Sequence, residues 1–417
     1  MKVHLLIIIA IILTGCSGNE SREIDRRPDT ADQIKESENR NATSDDTEPA
    51  SEIEFHQEVI FGDTDEVLLG SFTKVAVDDS GRVYMADRDQ ITVHVFKTNG
   101  NYLTSLGNQG RVPGEFMAVT PYTTIALHSN RFYITDLADA HLQFSYRMHE
   151  FSLEYLSFSR TIDLYAVNKE EFEVLEGYYP NKIYPLNNGT FMVSYHRSPN
   201  EYRAEESTIY YVIQDSNGTI ISGPVLKQKD LTNLVTEVTD TEFPYTAIHS
   251  FPFHGKSLLT VSRDNHLYAV NHSEEFEIDI YTTQGEHIRK IEHSFENIPL
   301  NRNKILDYYK KTNYGHGLGD GVALKMIREA ENLPETWPAI ESMISDDKNR
   351  LWVSTIVEDF DIYEWWVLEE TGELITKFEW PRDEPIEVVR NGNIYTRKTD
   401  DETGLQQIVK YRFEINE

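Results

Sequence analysis

One cysteine, Cys16, stands in a chain of 417 residues. No intrachain disulfide can form, so a folded state must rest on core burial. Basic residues are scarce beside acidic ones, with 39 Lys and Arg against 70 Asp and Glu and a net charge of −31. Such a balance repels phosphate backbones and anionic headgroups, so no nucleic-acid partner is expected. The acidic excess is compatible with cationic or basic partners and also with solubility alone. Common catalytic signatures are missing as well: there is no His-Glu-x-x-His, no Gly-x-Ser-x-Gly, no Walker lysine and no paired-cysteine metal motif. Gly107 to Gly114 is glycine-rich, but no Lys-Ser/Thr and no helix pattern follow it, so it reads as a turn. Long apolar runs are absent except at the start, where Val3 to Leu13 is broken only by His4. That run falls short of the roughly 20 residues a membrane-spanning helix needs. Aromatic residues are what the chain has in quantity, at 11% with 23 tyrosines, and they favour strands.

Lys2 followed by a short apolar core has the form of a signal peptide over residues 1–15. The core ends in Leu13-Thr14-Gly15-Cys16, which resembles the lipobox of bacterial lipoproteins. The resemblance implies a lipid on the Cys16 sulfur and a mature N-terminus there. A cleaved secretory signal that happens to contain a cysteine is the alternative. Residues 16–51 form the next unit. From Ser17 onward this stretch has no aromatic residue and two isoleucines, too little apolar surface to offset its ordering entropy. It is expected to be a disordered tether. Ser17 is not the Asp associated with inner-membrane retention, which favours the outer membrane of a cell envelope, facing the periplasm or the cell surface.

Internal repeats organise the rest, residues 52–417. A Gly or Asn turn is followed by an apolar residue, a large one, one or two more apolar positions and a polar end. The copies are Asp79-Ser80-Gly81-Arg82-Val83-Tyr84-Met85-Ala86-Asp87, Ser129-Asn130-Arg131-Phe132-Tyr133-Ile134-Thr135-Asp136 and Asn188-Gly189-Thr190-Phe191-Met192-Val193-Ser194. Three more are Asp264-Asn265-His266-Leu267-Tyr268-Ala269-Val270-Asn271, Lys348-Asn349-Arg350-Leu351-Trp352-Val353-Ser354 and Asn391-Gly392-Asn393-Ile394-Tyr395-Thr396-Arg397. Second β-stretches come after most copies, as at Val93 to Phe96 before Asn99-Gly100. Six short antiparallel meanders arranged radially make an all-β, six-bladed β-propeller.

The first unit, Val75 to Asp87, resembles an NHL repeat, and the likeness runs on through Gly110-Arg111-Val112-Pro113-Gly114-Glu115-Phe116. Later units keep the strand order and lose this turn. The chain thus resembles the six-bladed propeller lipoproteins of Bacteroidetes-type bacteria. The last unit supplies three strands, so Glu52 to Phe61 is expected to pair with it and close the ring. Helix-like runs at Ile305 to Lys311 and Val322 to Glu331 predict a helical insertion over residues 301–332, lying over one face or against an edge.

Chemistry is reduced to position. If the repeats are equivalent, Asp87, Asp136, Ser194, Asn271, Ser354 and Arg397 end corresponding strands and converge on the rim of the central channel. Asp and Asn oxygens suit a hard cation such as calcium. Lactonase-type propellers hold a catalytic calcium there, with a fuller acidic set than this sequence offers, and capping of turns is the other reading of these residues. No catalytic residue and no cofactor is assigned. The expectation is a monomeric envelope lipoprotein, held to the membrane through the lipid on Cys16, that acts as a binding or scaffold module for a protein, peptide or glycan. The alternative is a channel-centred, metal-dependent hydrolase or lyase.

Overall fold

Each repeated stretch forms a strand covered on both sides. Val83–Asp87, Leu267–Val270 and Leu351–Ile356 are buried along their whole lengths. Burial on both faces explains why the copies read as almost continuous apolar runs. The computed structural model describes residues 42–44, 51–140, 143–197, 208–229, 233–238, 245–250, 255–312, 324–325, 327–328 and 333–416. The expected leader, Cys16 and most of the tether lie outside these residues.

Six antiparallel four-stranded blades are built around the six copies, the fourth carrying an added short parallel strand at its outer edge, so the chain is the all-β propeller its repeats implied. From the innermost strand outward, the first blade is Phe72–Val77, Val83–Asp87, Thr92–Phe96 and Tyr102–Leu106, and the second is Ile125–His128, Arg131–Ala140, Gln143–Ser152 and Ser157–Asp163. Tyr178–Pro185, Phe191–Arg197, Thr208–Gln214 and Ile220–Lys229 form the third, and Leu258–Val261, Leu267–Val270, Glu277–Tyr281 and His287–His293 the fourth. The fifth is Ile340–Ser345, Leu351–Ile356, Ile362–Leu368 and Leu374–Pro381. In the sixth, Ile386–Arg390, Asn393–Thr399 and Gln406–Asn416 are completed on the outside by Glu52–Phe61.

That last pairing runs from Glu52 opposite Asn416 to Phe61 opposite Ile408, with a bulge between Gln57 and Val59. One blade is therefore made from both ends of the described chain, and the ring has no open seam. Around the channel the innermost strands of the sixth and first, first and second, second and third, fourth and fifth, and fifth and sixth blades touch, and Asn187 in the third blade's turn bonds to Arg263 and Asn265 of the fourth. The large residue of the repeat packs between blades: Tyr84 stacks on Phe132 at 5.2 Å, Tyr133 meets Phe191 edge-on at 5.3 Å, and Trp352 meets Phe413 at 5.0 Å. Each such pair adds about 0.5–1.5 kcal/mol beyond the area it buries.

Meander topology gives the molecule two unlike faces. Connections from second to third strand, and from fourth strand to the next blade, leave on one face; among the described residues the other carries the tight hairpin turns together with Glu52 and Asn416. All long connections fall on the first. They include the hairpin Asn233–Val238 with Tyr245–Ser250 between the third and fourth blades, which the repeat pattern did not foreshadow, and the insertion between the fourth and fifth. Within the insertion, Arg302–Thr312 is a helix, and the second expected run lies for the most part outside the described residues. Ile305 and Ile327 pack with Trp337 and Ile356, and Lys304 Nζ donates to Glu358 O at 3.0 Å. The described part of the insertion thus sits on the end of the fifth blade. Within the stretch expected to be disordered, Ala42–Ser44 forms a parallel strand on His287–His293, an outer edge whose backbone groups offer pairing. Among the described residues no helix is long and apolar enough to cross a membrane.

Candidate functional site

The six strand-end residues do not occupy one register position. Asp87, Asp136 and Asn271 each stand four residues beyond Val83, Phe132 and Leu267, which oppose Val77, Leu127 and Val261 on the inner strand. Ser194, Ser354 and Arg397 stand three residues beyond Phe191, Leu351 and Ile394, which oppose Pro185, Ser345 and Val389. A one-residue offset sends a side chain to the opposite side of the sheet, so the two triplets face different ways. None of the six lines the cavity on the channel axis.

Their contacts are local. Asp87 accepts from the backbone N–H groups of Gly70 at 2.6 Å and of Asp89 and Gln90 at 2.8 Å. Asp136 accepts from Met117 N at 3.0 Å, Ala118 N at 3.3 Å and Arg147 Nη2 at 2.5 Å. Burial pushes both carboxyls up, but these donors and the adjacent imidazoles outweigh it and leave them below the usual carboxylate range. Asn271 donates to Asp279 at 3.1 Å. Ser194 accepts from Lys182 N at 3.0 Å and Ser354 meets Ser342 Oγ at 2.6 Å, each beside a bulge in the inner strand. Arg397 donates to Phe72 O at 2.8 Å and Thr73 O at 3.3 Å, and its Nε lies 2.8 Å from Glu387, which ties the sixth blade to the first. Among the described residues no group of three or more His, Cys, Asp or Glu side chains is arranged to hold a metal ion.

Two buried histidines escaped the sequence reading. His94 Nε2 is 3.4 Å from Asp87 and its Nδ1 is 3.0 Å from Ser105 Oγ. His149 repeats the arrangement, with Nε2 3.8 Å from Asp136 and Nδ1 3.0 Å from Thr161 Oγ1. Each chain runs across the second, third and fourth strands of its blade. The signal was His94-Val95-Phe96 beside His149-Glu150-Phe151, masked because the second blade's longer hairpin separates its Asp and His further. Repetition in two blades marks a structural brace.

The cavity itself measures about 730 Å³ and receives residues from all six blades. Its mouth lies among the tight hairpin turns, on the face away from the helical insertion. Around this mouth runs a collar of amide bonds. Asn187 Nδ2 donates to Arg263 O at 2.8 Å, joining the third blade to the fourth, and Asn349 Oδ1 accepts from Arg263 N at 3.0 Å, joining fourth to fifth. Asp347 accepts from Asn391 N at 3.2 Å, joining fifth to sixth. Asn391 Nδ2 donates to Asp78 O at 3.2 Å, and Arg390 pairs with Asp79 at 2.6 Å, joining sixth to first. Asn265, Asn349 and Asn391 have positive φ, the turn geometry for which the repeat keeps asparagine.

The collar breaks at the second blade. Among the described residues no side-chain hydrogen bond joins Ser129 or Asn130 to either neighbouring turn, and both are exposed. Just inside the gap, His128 lines the cavity with its Nε2 buried and unpartnered, and Ser345 Oγ on the fifth blade is likewise unpartnered. Burial pushes the His128 imidazole below its usual value, so the ring is neutral at neutral pH. The sequence named Asn130, Asn265, Asn349 and Asn391 at this mouth only as turns of the repeat, and it placed no candidate site residue here, because inner-strand ends vary from blade to blade.

Solved structures with this architecture include a Bacteroides fragilis protein described as exported, 13% identical, with a TM-score of 0.50 over 90% of this chain and 99% of that one. A Bacteroides vulgatus protein is 10% identical with a TM-score of 0.48 over 88% and 99%. Virginiamycin B lyase from Staphylococcus aureus is 13% identical with a TM-score of 0.39 over 87% and 99%. The first of these likenesses shows the fold alone, and the other two carry nothing further. No curated protein matches the chain. Residues 61–256 match the model of a family described as 6-bladed beta-propeller, and six sheets closed on one channel make the chain a six-bladed β-propeller.

Proposed function

We propose that this protein is an envelope-anchored binding module whose ligand occupies the channel cavity from the tight-turn face. One observation carries the reading: all six blades contribute to a single cavity of about 730 Å³, within the size range of small-ligand sites. Apolar inner-strand residues such as Ile125 and Val388 wall it, while amides, charged groups and a neutral imidazole ring its mouth. That combination supports recognition of a polar organic ligand, a peptide or a glycan. The lipid on Cys16 would hold the module at the membrane, and the tether would set its reach. A photocrosslinking residue at Ser129, tested in cells beside one at the outer-edge position Ser105, is expected to recover a specific adduct from Ser129 alone. Replacing Ala126 with Trp, which fills the cavity, should abolish that adduct. Equal adducts from both positions, or an adduct indifferent to Ala126→Trp, would remove the channel from the proposal.

A further inference from the structure

Away from the cavity, residues 164–177 carry the chain from the second blade to the third. Leu164, Ala166 and Leu175 turn inward and are buried in the core between these blades. Asn168 pins the segment to Ile220, donating to its O at 3.0 Å and accepting from its N at 2.9 Å. The alternation leaves Tyr165 on the surface, 42% exposed, and Asp163 fixes its backbone by accepting from Tyr165 N at 2.9 Å. Tyr179 on the third blade's inner strand and Tyr146 on the second blade's third strand complete a group of three rings. Their centroids are 5.6 Å apart for Tyr146 and Tyr179, 6.1 Å for Tyr146 and Tyr165 and 6.5 Å for Tyr165 and Tyr179. Separations of about 4.5–7 Å are those of rings in direct contact, so a cation has no room between them and must sit on their open side.

A cation is already there. The Lys169 ammonium stands 5.0 Å from the Tyr165 centroid and 5.6 Å from that of Tyr179. Five exposed carboxylates lie on or just before the segment, Asp163, Glu170, Glu171, Glu173 and Glu176, yet among the described residues Lys169 pairs with none of them. Its one hydrogen bond goes to Tyr165 Oη at 3.4 Å. The platform thus offers a cation π faces and a carboxylate-rich flank, but almost no acceptors at the seat itself. A primary ammonium has three N–H donors to satisfy there, whereas a methylated ammonium has few or none. The same carboxylates repel a phosphate carried close to the cation.

We infer that this three-tyrosine platform binds a small methylated ammonium compound free of phosphate, whose place the Lys169 ammonium takes in the structure. Cation–π contacts at exposed sites are weak and the lysine stem is flexible, so Lys169 is a displaceable occupant. None of Tyr146, Tyr165, Lys169 and Tyr179 lines the channel cavity, so this site does not depend on the channel.

Calorimetry on the full chain in a maltoside detergent, at fixed ionic strength, tests this with choline, ethanolamine, glycerophosphocholine and the neutral carbon isostere of choline. Choline should bind, and the other three should bind at least about fivefold more weakly. Tyr165→Leu should weaken choline about three- to tenfold. Lys169→Met, which keeps an apolar stem and removes the resident charge, should strengthen it about threefold or more. Thermal melts establish that both variants fold, and Tyr165 is exposed enough that its replacement opens no core. No binding of choline, equal binding of ethanolamine or of the neutral isostere, or an affinity unchanged or lowered in Lys169→Met would overturn the platform. Glycerophosphocholine binding tighter than choline would overturn the assignment to a phosphate-free compound and point to a lipid headgroup.

Discussion

Asp78 shows how single side chains set the repeat. Its Oδ1 accepts from the backbone of Ser80 and Arg82, both at 2.9 Å, and its Oδ2 from Arg82 Nε at 2.6 Å and the buried Tyr84 hydroxyl at 2.9 Å. Asp346 does the same with Lys348 N, Arg350 and Trp352 Nε1, so Asp-x-x-x-Arg-x-aromatic is one device used twice. Burial raises the Asp78 carboxyl, but these donors prevail and its pKa lies below the ordinary 3.8. Asp87 and Asp136 are lowered in the same way. A folded-state pKa below the unfolded one means stability that is present above about pH 4 and lost as pH falls through the folded value. Urea midpoints should therefore stay flat from about pH 7 to 5 and drop below about pH 4. Asp136→Asn should lower stability at neutral pH by roughly 1–3 kcal/mol and flatten the acid limb. Parallel acid limbs in the two proteins would show that this carboxylate is not a source of the loss.

At the scale of the strand, Glu52–Phe61 carries the largest consequence. Phe61 is fully buried in the cluster that holds Phe72, Val83 and Tyr395, so the strand seals the junction between the sixth and first blades. Deleting 52–61 exposes the edge of Gln406–Asn416 and opens a core. The expected outcome is loss of the single cooperative thermal transition, and an unchanged melting temperature would show that closure contributes nothing. This strand was legible in the sequence because the last repeat lacked a fourth member and an orphan β-run lay upstream of the first. The register of the second strands was not legible. The apolar runs differ in length by one residue before their polar end, so Ser194, Ser354 and Arg397 looked equivalent to Asp87 while standing one residue earlier. Only the pairing of each strand with its inner neighbour reveals the offset.

For the molecule as a whole, the proposed anchor separates attachment from the acidic body. A Cys16→Ser variant should leave the membrane fraction with its melting temperature unchanged; a variant still held in membranes would show that the lipid is not the attachment. Two faces of unlike character follow from the meander: long connections on one, short turns and the cavity mouth on the other. By itself the sequence determined six blades, their order and the strand that joins both ends, because turn residues and buried aromatics are local and recur. Tertiary structure alone decided which side chains meet. The cavity draws on all six blades, and His128 and Ser345, more than two hundred positions apart, share its wall only once the ring is closed.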